Sequence, residues 1–246
     1  MAAQSFPPTR PILLTRAAAA SERFAVALRE SFGAGARVVI SPLMCPVYLT
    51  PTLPPGPFDA VILTSETGAE AARRISAEGA DLPRQAFCVG DRTARVAAAA
   101  GFHPQSAQGD ADALVRVIVT AMRRGRLLHL RGHDSRGDVV QRLRTAGLEA
   151  QEAVVYDQMP CDLTFEAKAM LAAPEPVVLP LFSPRSADLV AQSGPIRAPL
   201  WIAALSPAVA ERATCLHPEQ MVVAARPEAA AVLCAIEYLC AAGGRT

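Results

Sequence analysis

The chain has 246 residues, of which 51% are hydrophobic, and its formal net charge is +1. The near-neutral charge argues against broad electrostatic binding to nucleic acid, so we expect no nucleic-acid partner. The length allows either one large domain or two small ones. No stretch approaches the ~20 apolar residues that cross a bilayer, and the start of the chain lacks the apolar core of a signal peptide. We therefore expect a cytoplasmic protein without a membrane partner.

The first predicted elements are a strand over 11–16 and an amphipathic helix over 21–32 that is capped by Ser21. A second strand is predicted over 36–40. Six prolines then crowd residues 41–57, which excludes a helix and allows strands only in short pieces. We interpret this segment as a crossing between domains.

After this crossing, strands and helices alternate, which predicts parallel sheets covered by helices on both faces. A second break at 157–160 interrupts the alternation. The strands are predicted at 59–63, 86–89, 126–131, 150–156, 176–181, 200–204 and 220–224, with a short one near 102–104. The helices are predicted at 66–78, 91–100, 110–124, 135–146, 162–172, 185–192, 206–213 and 227–241.

The two breaks predict two doubly wound, flavodoxin-like α/β domains. The segment before the first break holds only two strands, too few for a stable sheet, and the three strands at the end of the chain complete it. We therefore predict a discontinuous domain, 1–43 with 158–246, and an inserted domain, 48–156. Residues 47–49 and 153–156 are expected to pair as a two-stranded hinge ladder.

The six cysteines show neither a CxxC pair nor a zinc-ligand spacing. Their apolar surroundings predict small buried side chains, which would stay reduced in the cytoplasm. His129 and His133 are four residues apart, but they lie on a strand and a turn rather than on a helix. The chain also lacks a P-loop, a GxGxxG fingerprint after the first strand and a GxSxG elbow. These absences favour a site made of hydrogen bonds and arginines.

Small hydroxyl residues, glycines and arginines stand where predicted strands end and helices begin. Open α/β sheets bind ligands at this edge, and helix N-termini attract anionic groups. The alternative is that these residues are ordinary helix caps and turn formers, but their repetition in two domains favours a ligand site. They are Arg16, Thr64, Ser65, Gly90, Arg131, Gly132, Ser183 and Ser206.

Tyr156 ends the strand at the second crossing and is one of only three tyrosines. A phenol in that place is able to donate a proton or a hydrogen bond to a leaving group. The alternative is an amphipathic residue at a domain boundary with its hydroxyl in water. The residues alone leave both interpretations open.

Together these motifs resemble the uroporphyrinogen-III synthase family. The resemblance covers roughly residues 12–240, and its pieces occur in the family's order. They are Leu13-Leu14-Thr15-Arg16, Val61-Ile62-Leu63-Thr64-Ser65, Val89-Gly90-Asp91-Arg92-Thr93-Ala94, Leu130-Arg131-Gly132, Val154-Val155-Tyr156, Leu181-Phe182-Ser183-Pro184 and Ser206-Pro207.

The resemblance implies two α/β domains and a hydro-lyase that needs no cofactor and no metal. Family members convert the linear tetrapyrrole hydroxymethylbilane into uroporphyrinogen III, in porphyrin and heme biosynthesis. The terminal hydroxyl leaves as water, the last pyrrole ring is inverted and the macrocycle closes. We expect a monomer that receives this substrate by transient transfer from the preceding enzyme.

Carried over residue by residue, the resemblance makes Tyr156 the proton donor for loss of the hydroxyl. It adds Thr93 as a second catalytic residue and assigns the strand-end residues named above to the substrate. The sequence departs from the family at Val209, where a hydroxyl is expected, and at Asp157-Gln158. Pro180, inside a predicted strand, indicates a bulge or a strand end.

Two rivals to this enzyme stay open. A two-domain binding or sensing module for small molecules uses a similar architecture without catalysis. A catalytically silent tetrapyrrole binder would carry the same motifs. An assay with hydroxymethylbilane separates both rivals from the enzyme.

Overall fold

A computed structural model gives the structure of the protein and describes residues 10–135 and 137–242. The strands are β1 (Ile12–Leu14), β2 (Val38–Ile40), β3 (Met44–Tyr48), β4 (Ala60–Leu63), β5 (Gln85–Cys88), β6 (His103–Ser106), β7 (Arg126–Gly132), β8 (Glu149–Pro160), β9 (Val177–Leu181), β10 (Leu200–Ala204) and β11 (Gln220–Val223). The helices are α1 (Ala18–Phe32), α2 (Glu66–Ala77), α3 (Asp91–Ala99), α4 (Ala111–Ala121), α5 (Val139–Thr145), α6 (Phe165–Ala172), α7 (Pro184–Gln192), α8 (Pro207–Ala213) and α9 (Ala229–Ala242).

The chain divides into two compact units. The first combines Met1–Cys45 with Pro160–Thr246, and the second is Pro46–Met159. A domain is a part of the chain that folds independently, and a division into compact units does not test independent folding. The predicted domains, 1–43 with 158–246 and 48–156, therefore stay a prediction.

The first unit contains a sheet of five parallel strands in the order β11-β10-β9-β1-β2. Numbered within the unit from the β2 edge, this is 2-1-3-4-5, the flavodoxin-like order. Alternate residues of β1 belong to different core clusters. Leu13 shares its cluster with α6, α7 and α8, whereas Ile12 and Leu14 share theirs with α1 and α9. Helices therefore cover both faces of this sheet.

The second unit is built on the sheet β3-β8-β7-β4-β5-β6. Its strands β4 to β8 are parallel and, numbered within the unit from the β6 edge, follow the order 3-2-1-4-5. Val61 and Leu63 of β4 pack in a cluster with α2 and α3, and Ala60 and Ile62 pack with α4 and α5. The prediction of doubly wound parallel α/β sheets is confirmed, but the flavodoxin-like strand order is present only in the first unit.

The edge strand β3 runs antiparallel to β8. The Leu49 N–H donates to the Val155 carbonyl and the Cys161 N–H to the Leu43 carbonyl, both at 3.0 Å. The predicted two-stranded ladder is therefore present. It continues through Pro46, although the prolines were expected to permit only short pieces. Because Leu43 and Leu49 face β8, alternation turns the nitrogen of Pro46 to the open edge, where no N–H is needed.

Pro180 does not break β9, which stays in unbroken register with β10 and places Ala203 opposite Pro180. Of the two expectations for Pro180, the bulge is wrong, and the strand end is met to within one residue, because β9 ends at Leu181. The N–H of Val178 donates to the Pro11 carbonyl next to β1, so the nitrogen of Pro180, two residues on, also faces β1. The missing N–H costs little there, because the described pairing of β1 with β9 is limited to Ile12 and Val178.

The predicted cap of the first helix is wrong. Helix α1 begins at Ala18, and Ala17 occupies the N-cap position without a side-chain hydrogen bond. The buried Ser21 hydroxyl instead donates to the carbonyl of Arg16 at 2.9 Å. A run of alanines precedes Ser21, and the high helix propensity of alanine lets the helix start before the hydroxyl.

The expectation of six reduced and buried cysteines is also wrong. Cys45 on β3 and Cys161 just after β8 form a disulfide, with their Cα atoms 5.9 Å apart. Cys215 and Cys234 are exposed. Cys88 fits the expectation, because it is free and buried, and burial raises the pKa of its thiol to about 12.

None of the described helices combines the length and apolar character needed to cross a membrane. Among the residues that the structure describes, no three His, Cys, Asp or Glu side chains gather in a way that would hold a metal ion. His129 lies on β7, and His133 follows the end of that strand.

Candidate functional site

Each sheet has a switch point, where the strand order reverses, and predicted site residues follow the strands there. In the second unit the switch lies between β4 and β7, and in the first unit between β1 and β9. Open α/β sheets bind ligands outside the carboxyl ends of strands at such points. The predicted residues at these strand ends are Thr64 and Ser65 after β4, Arg131 and Gly132 on β7, Arg16 after β1 and Ser183 after β9.

A β-bulge positions Tyr156. Strands β7 and β8 keep a regular register up to Arg131 and Val154, after which Gly132 pairs with Tyr156 and Val155 is the extra residue. Consecutive residues of a regular strand face opposite sides, but Val155 and Tyr156 pack in the same core cluster. The bulge has therefore turned Tyr156 to the face that carries α2.

Gly132 leaves the space that the Tyr156 ring occupies. A Cβ atom on Gly132 would lie 2.6 Å from Cζ and 2.8 Å from the hydroxyl oxygen of Tyr156. Tyr156 is only 9% exposed, so its ring lies against the backbone of β7. Gly132 is a predicted substrate residue, and the contact that the structure gives it is with Tyr156.

Ser65 joins this group from the end of β4. As the N-cap of α2, its hydroxyl accepts a hydrogen bond from the Gly68 N–H at 2.9 Å. The same oxygen lies 2.9 Å from the hydroxyl oxygen of Tyr156. The structure thus brings together three predicted residues, Ser65, Gly132 and Tyr156, at the positive end of a helix dipole.

Thr64 contacts a residue that was not predicted to act in the site. Its hydroxyl lies 3.1 Å from Nε2 of His129 on the neighbouring strand β7. His129 is only 3% exposed, and burial lowers its pKa to about 4. The imidazole is therefore neutral at pH 7, and this bond ties the end of β4 to β7.

Arg131 turns towards its own strand. Its guanidinium donates to the carbonyls of Gly132 and His133, both at 3.0 Å, and to the Glu152 carboxylate at 2.6 Å. That hydrogen bond holds the pKa of Glu152 below its ordinary value. The guanidinium therefore braces the end of β7, while its buried Nε has no hydrogen-bond partner among the described residues.

Gly90 and Thr93 lie at the start of α3. Gly90 is the N-cap, and a Cβ atom added to it would meet nothing within 4 Å. Thr93 is buried in the first turn of the helix, at 4% exposure. No described hydrogen bond connects either residue to Tyr156.

The first unit contains its own group of predicted residues. The Arg16 guanidinium carbon lies 3.9 Å above the ring of Phe182, the residue before Ser183. Ser183 caps α7 through the Ser186 N–H at 3.1 Å, and the two serine hydroxyls are 2.8 Å apart. Arg16 and Ser183 therefore lie at adjoining strand ends.

Ser206 also caps a helix. Its hydroxyl accepts a hydrogen bond from the Val209 N–H at 3.4 Å, at the start of α8. Val209, where the family pattern has a hydroxyl, is buried in the core. Ser65, Ser183 and Ser206 are all helix caps, as the alternative to a ligand site proposed. A serine that caps a helix is still able to contact a ligand.

Sequence reasoning missed the supporting residues His129, Glu152 and Gly68. A lone histidine inside an apolar strand gave one weak signal, since Leu127-Leu128-His129-Leu130 predicts a buried imidazole that needs a partner. Glu152 and Gly68 gave none, because their contacts depend on strand register and on the first turn of α2.

A family model described as "HEM4: Uroporphyrinogen-III synthase HemD" matches residues 22–234. Among solved structures, the uroporphyrinogen-III synthetase of Helicobacter pylori matches with a TM-score of 0.60 and 18% identity, covering 94% of this chain and 100% of that one. A mutant uroporphyrinogen III synthase of Thermus thermophilus matches with a TM-score of 0.47 and 13% identity, covering 93% and 98%. A comparison with curated proteins finds no match. The first structure supports the fold, and the family model spans most of the sequence: this chain belongs to the uroporphyrinogen-III synthase family.

Proposed function

We propose that this protein is a uroporphyrinogen-III synthase, which cyclises hydroxymethylbilane with inversion of the terminal pyrrole ring and loss of water. Family membership supports the reaction. The observation that carries the proposal within the chain is the pair formed by Tyr156 and Ser65, 2.9 Å apart at the switch point of the second unit. A phenol at the start of a helix is suited to giving a proton to a departing hydroxyl.

The strand-end residues suit a substrate rich in carboxylates. Four helices, α2, α3, α7 and α8, begin directly after strands, and their first N–H groups and dipoles favour anions. Arg16 adds a cationic group whose planar fork matches carboxylates, whereas the Arg131 guanidinium would have to exchange its Glu152 partner for a substrate carboxylate. We propose that these helix starts and arginines, with Thr64, Gly90, Gly132, Ser183 and Ser206, bind the substrate.

In the proposed reaction Tyr156 gives its proton to the terminal hydroxyl of the substrate. The carbon–oxygen bond breaks, its electron pair leaves with the oxygen as water, and the phenolate and the substrate cation remain. Most of the acceleration comes from holding the flexible tetrapyrrole in a ring-like pose, so that the two reacting ends meet. Thr93, which is buried in the first turn of α3, is the second proposed catalytic residue.

The remaining expectations complete the proposal: no cofactor, a monomeric state, transient transfer of substrate from the preceding enzyme, and action in the cytoplasm. Thiols are kept reduced in most cytoplasms, and the disulfide between Cys45 and Cys161 would then represent the oxidised form of the protein. Quantitative labelling of thiols in protein taken directly from cells tests this part of the proposal.

The decisive experiment supplies hydroxymethylbilane to the protein and separates the product isomers. We expect isomer III to form faster than isomer I, the product of spontaneous closure. Formation of isomer I alone overturns the enzyme and leaves the binding or sensing module, or the silent tetrapyrrole binder, in its place. Binding of hydroxymethylbilane without isomer III then distinguishes the tetrapyrrole binder.

A further inference from the structure

The Ser65 hydroxyl takes part in two hydrogen bonds, and only one of the two partners is able to accept its proton. A hydroxyl has one proton to donate and two lone pairs that accept. The Gly68 N–H, at 2.9 Å, uses one lone pair and cannot accept a proton. Among the described residues, the other partner of this hydroxyl is the Tyr156 oxygen, at 2.9 Å. Tyr156 is therefore the partner that can take the Ser65 proton.

We infer that Ser65 is a positioning residue, which donates a hydrogen bond to Tyr156 and so directs the phenol proton towards the substrate. This inference rests on the proposed function. In the opposite arrangement Tyr156 donates to Ser65, and its proton is not available to the leaving hydroxyl. The donation from Ser65 also has a consequence after proton transfer, because it stabilises the phenolate oxygen that remains.

The surroundings of Tyr156 strengthen this role. Ser65 is the N-cap of α2, so the phenol oxygen lies next to the positive end of that helix, where negative charge is favoured. The backbone of Gly132 packs against the ring, since a Cβ atom on Gly132 would lie only 2.6 Å from Cζ of Tyr156. The ring therefore has a contact that does not depend on Ser65, and we expect replacement of Ser65 to change the hydrogen bond without releasing the ring.

In chemical terms the step balances within the residues and substrate named. The O–H bond of Tyr156 breaks, its proton goes to the substrate oxygen, and the carbon–oxygen bond breaks to release water. The last pyrrole ring then bonds to the carbon that lost the hydroxyl, its original carbon–carbon link to the chain breaks, and a new link forms at its free carbon. The phenolate keeps the hydrogen bond from Ser65 until that free carbon loses its proton. Return of that proton to Tyr156 restores the starting state.

A cap role and a positioning role are separable by substitution. Glycine is nearly as good an N-cap as serine, so Ser65→Gly removes the hydroxyl with little loss of helix stability. Ser65→Thr keeps the hydroxyl and should restore activity. Thr164→Gly is the matched control, because Thr164 caps α6 through the Ala167 N–H at 3.2 Å and lies in the other unit.

The test is a double-mutant cycle of Ser65→Gly and Tyr156→Phe, with kcat and KM measured for formation of isomer III. We expect Ser65→Gly to lower kcat about tenfold, with KM nearly unchanged, since hydrogen bonds to charged groups have effects of this size. In the Tyr156→Phe background the same change should have no further effect on kcat, because the hydroxyl through which Ser65 acts is gone. The Thr164→Gly control should stay within about twofold of wild type.

Several outcomes overturn the inference separately from the proposed function. If the wild type forms isomer III but the two losses multiply, Ser65 does not act through Tyr156. A raised KM with unchanged kcat makes Ser65 a direct substrate contact. If Ser65→Gly fails to fold, Ser65→Asp replaces it, because an ionised carboxylate caps α2 but cannot donate, and wild-type kcat in that variant contradicts the inference. A wild type without isomer III overturns the proposed function itself, and the inference with it.

Discussion

The ring of Tyr156 packs against the backbone of Gly132, and its hydroxyl lies 2.9 Å from that of Ser65. These two contacts restrict the orientation of the phenol. Replacing Tyr156 by phenylalanine keeps the ring over Gly132 and removes only the hydroxyl group. We expect Tyr156→Phe to lower kcat for isomer III about 100-fold, the lower range for loss of a general acid. Tyr238→Phe is the control, because Tyr238 lies on α9 and is 65% exposed. Unchanged turnover in Tyr156→Phe would show that the acid is another group.

Gly132 offers a second residue-level prediction. A Cβ atom in Gly132→Ala would lie 2.6 Å from Cζ of Tyr156, so the ring or the strand must move. Overpacking of this kind costs about 1–3 kcal/mol in the free energy of unfolding, and the displaced phenol should lower kcat at least tenfold. Gly35→Ala is the control, since a Cβ atom there meets nothing within 4 Å. Urea unfolding and the isomer assay measure the two effects, and a fully active Gly132→Ala would contradict the close contact.

Individual site residues were predictable only as far as strand ends are visible in the sequence. Ser65 and Gly132 stand out because each ends an apolar run before a helix. Their meeting with Tyr156 was not predictable, because it depends on one extra residue, Val155, in β8. Ala153-Val154-Val155-Tyr156 reads as a regular strand, and regular alternation places Tyr156 on the wrong face.

At the scale of elements, the bond between Thr64 and His129 links β4 to β7 and makes their pairing sensitive to pH. Burial lowers the pKa of His129 to about 4, so the unfolded chain, with its ordinary pKa of about 6.5, binds a proton first as pH falls. Stability is therefore full above about pH 6.5 and is lost as pH falls towards 4. From these two values we expect His129 to remove about 2 kcal/mol from the free energy of unfolding between pH 7.5 and pH 5.

Urea unfolding of the wild type and of His129→Asn at several pH values checks this expectation. The variant should lack this share of the pH dependence between pH 7.5 and 5. Glu152 does not blur the comparison, because the hydrogen bond from Arg131 holds its pKa below the ordinary value and it stays ionised in this range. Parallel pH profiles for the two proteins would contradict a lowered pKa of His129 in the folded state.

Most helices and strands were predictable from the sequence, whereas some of the residues at which they begin or end were not. Apolar runs bounded by caps located β4, β9 and β10 within a residue or two. The start of α1 was misplaced because alanine propensity outweighed the hydroxyl of Ser21. Pro46 and Pro180 both fit inside short strands because the cost of a missing N–H depends on which neighbour it faces, and local sequence does not specify strand order.

At the scale of the whole molecule, the disulfide between Cys45 and Cys161 closes a chain segment with a sequence separation of 116 residues. Loops of this length restrict the unfolded chain, and the chain-entropy model gives about 4–5 kcal/mol of stabilisation. We expect reduction, or Cys161→Ser, to lower the free energy of unfolding by up to this amount. Urea unfolding with and without reductant measures it.

The exposed free cysteine Cys215 supplies the control for this prediction. Cys215→Ser should leave the response to reductant unchanged. Alkylation followed by mass spectrometry should find Cys45 and Cys161 protected in oxidised protein and Cys215 labelled. Labelling of Cys45 without reductant would contradict the bond.

The two sheets also differ in a way that the sequence did not predict. The alternation of strands and helices was the same in both halves of the chain, yet the first unit has the order 2-1-3-4-5 and the second 3-2-1-4-5. After each helix the next strand can be added at either edge of the growing sheet, and long-range packing decides which edge it joins. The placement of the switch points, and thus of both groups of site residues, follows from this choice.

The bulge in β8 has a consequence for comparing this chain with distant relatives. Up to Val154, each step along β8 corresponds to one step along β7, but beyond it the two strands are offset by one residue. At an identity as low as the 18% found here, a sequence alignment with a relative that lacks this bulge would shift by one position beyond Val154. Positions on β8 beyond Val154 are therefore best compared with a relative by superposing the strand next to Gly132.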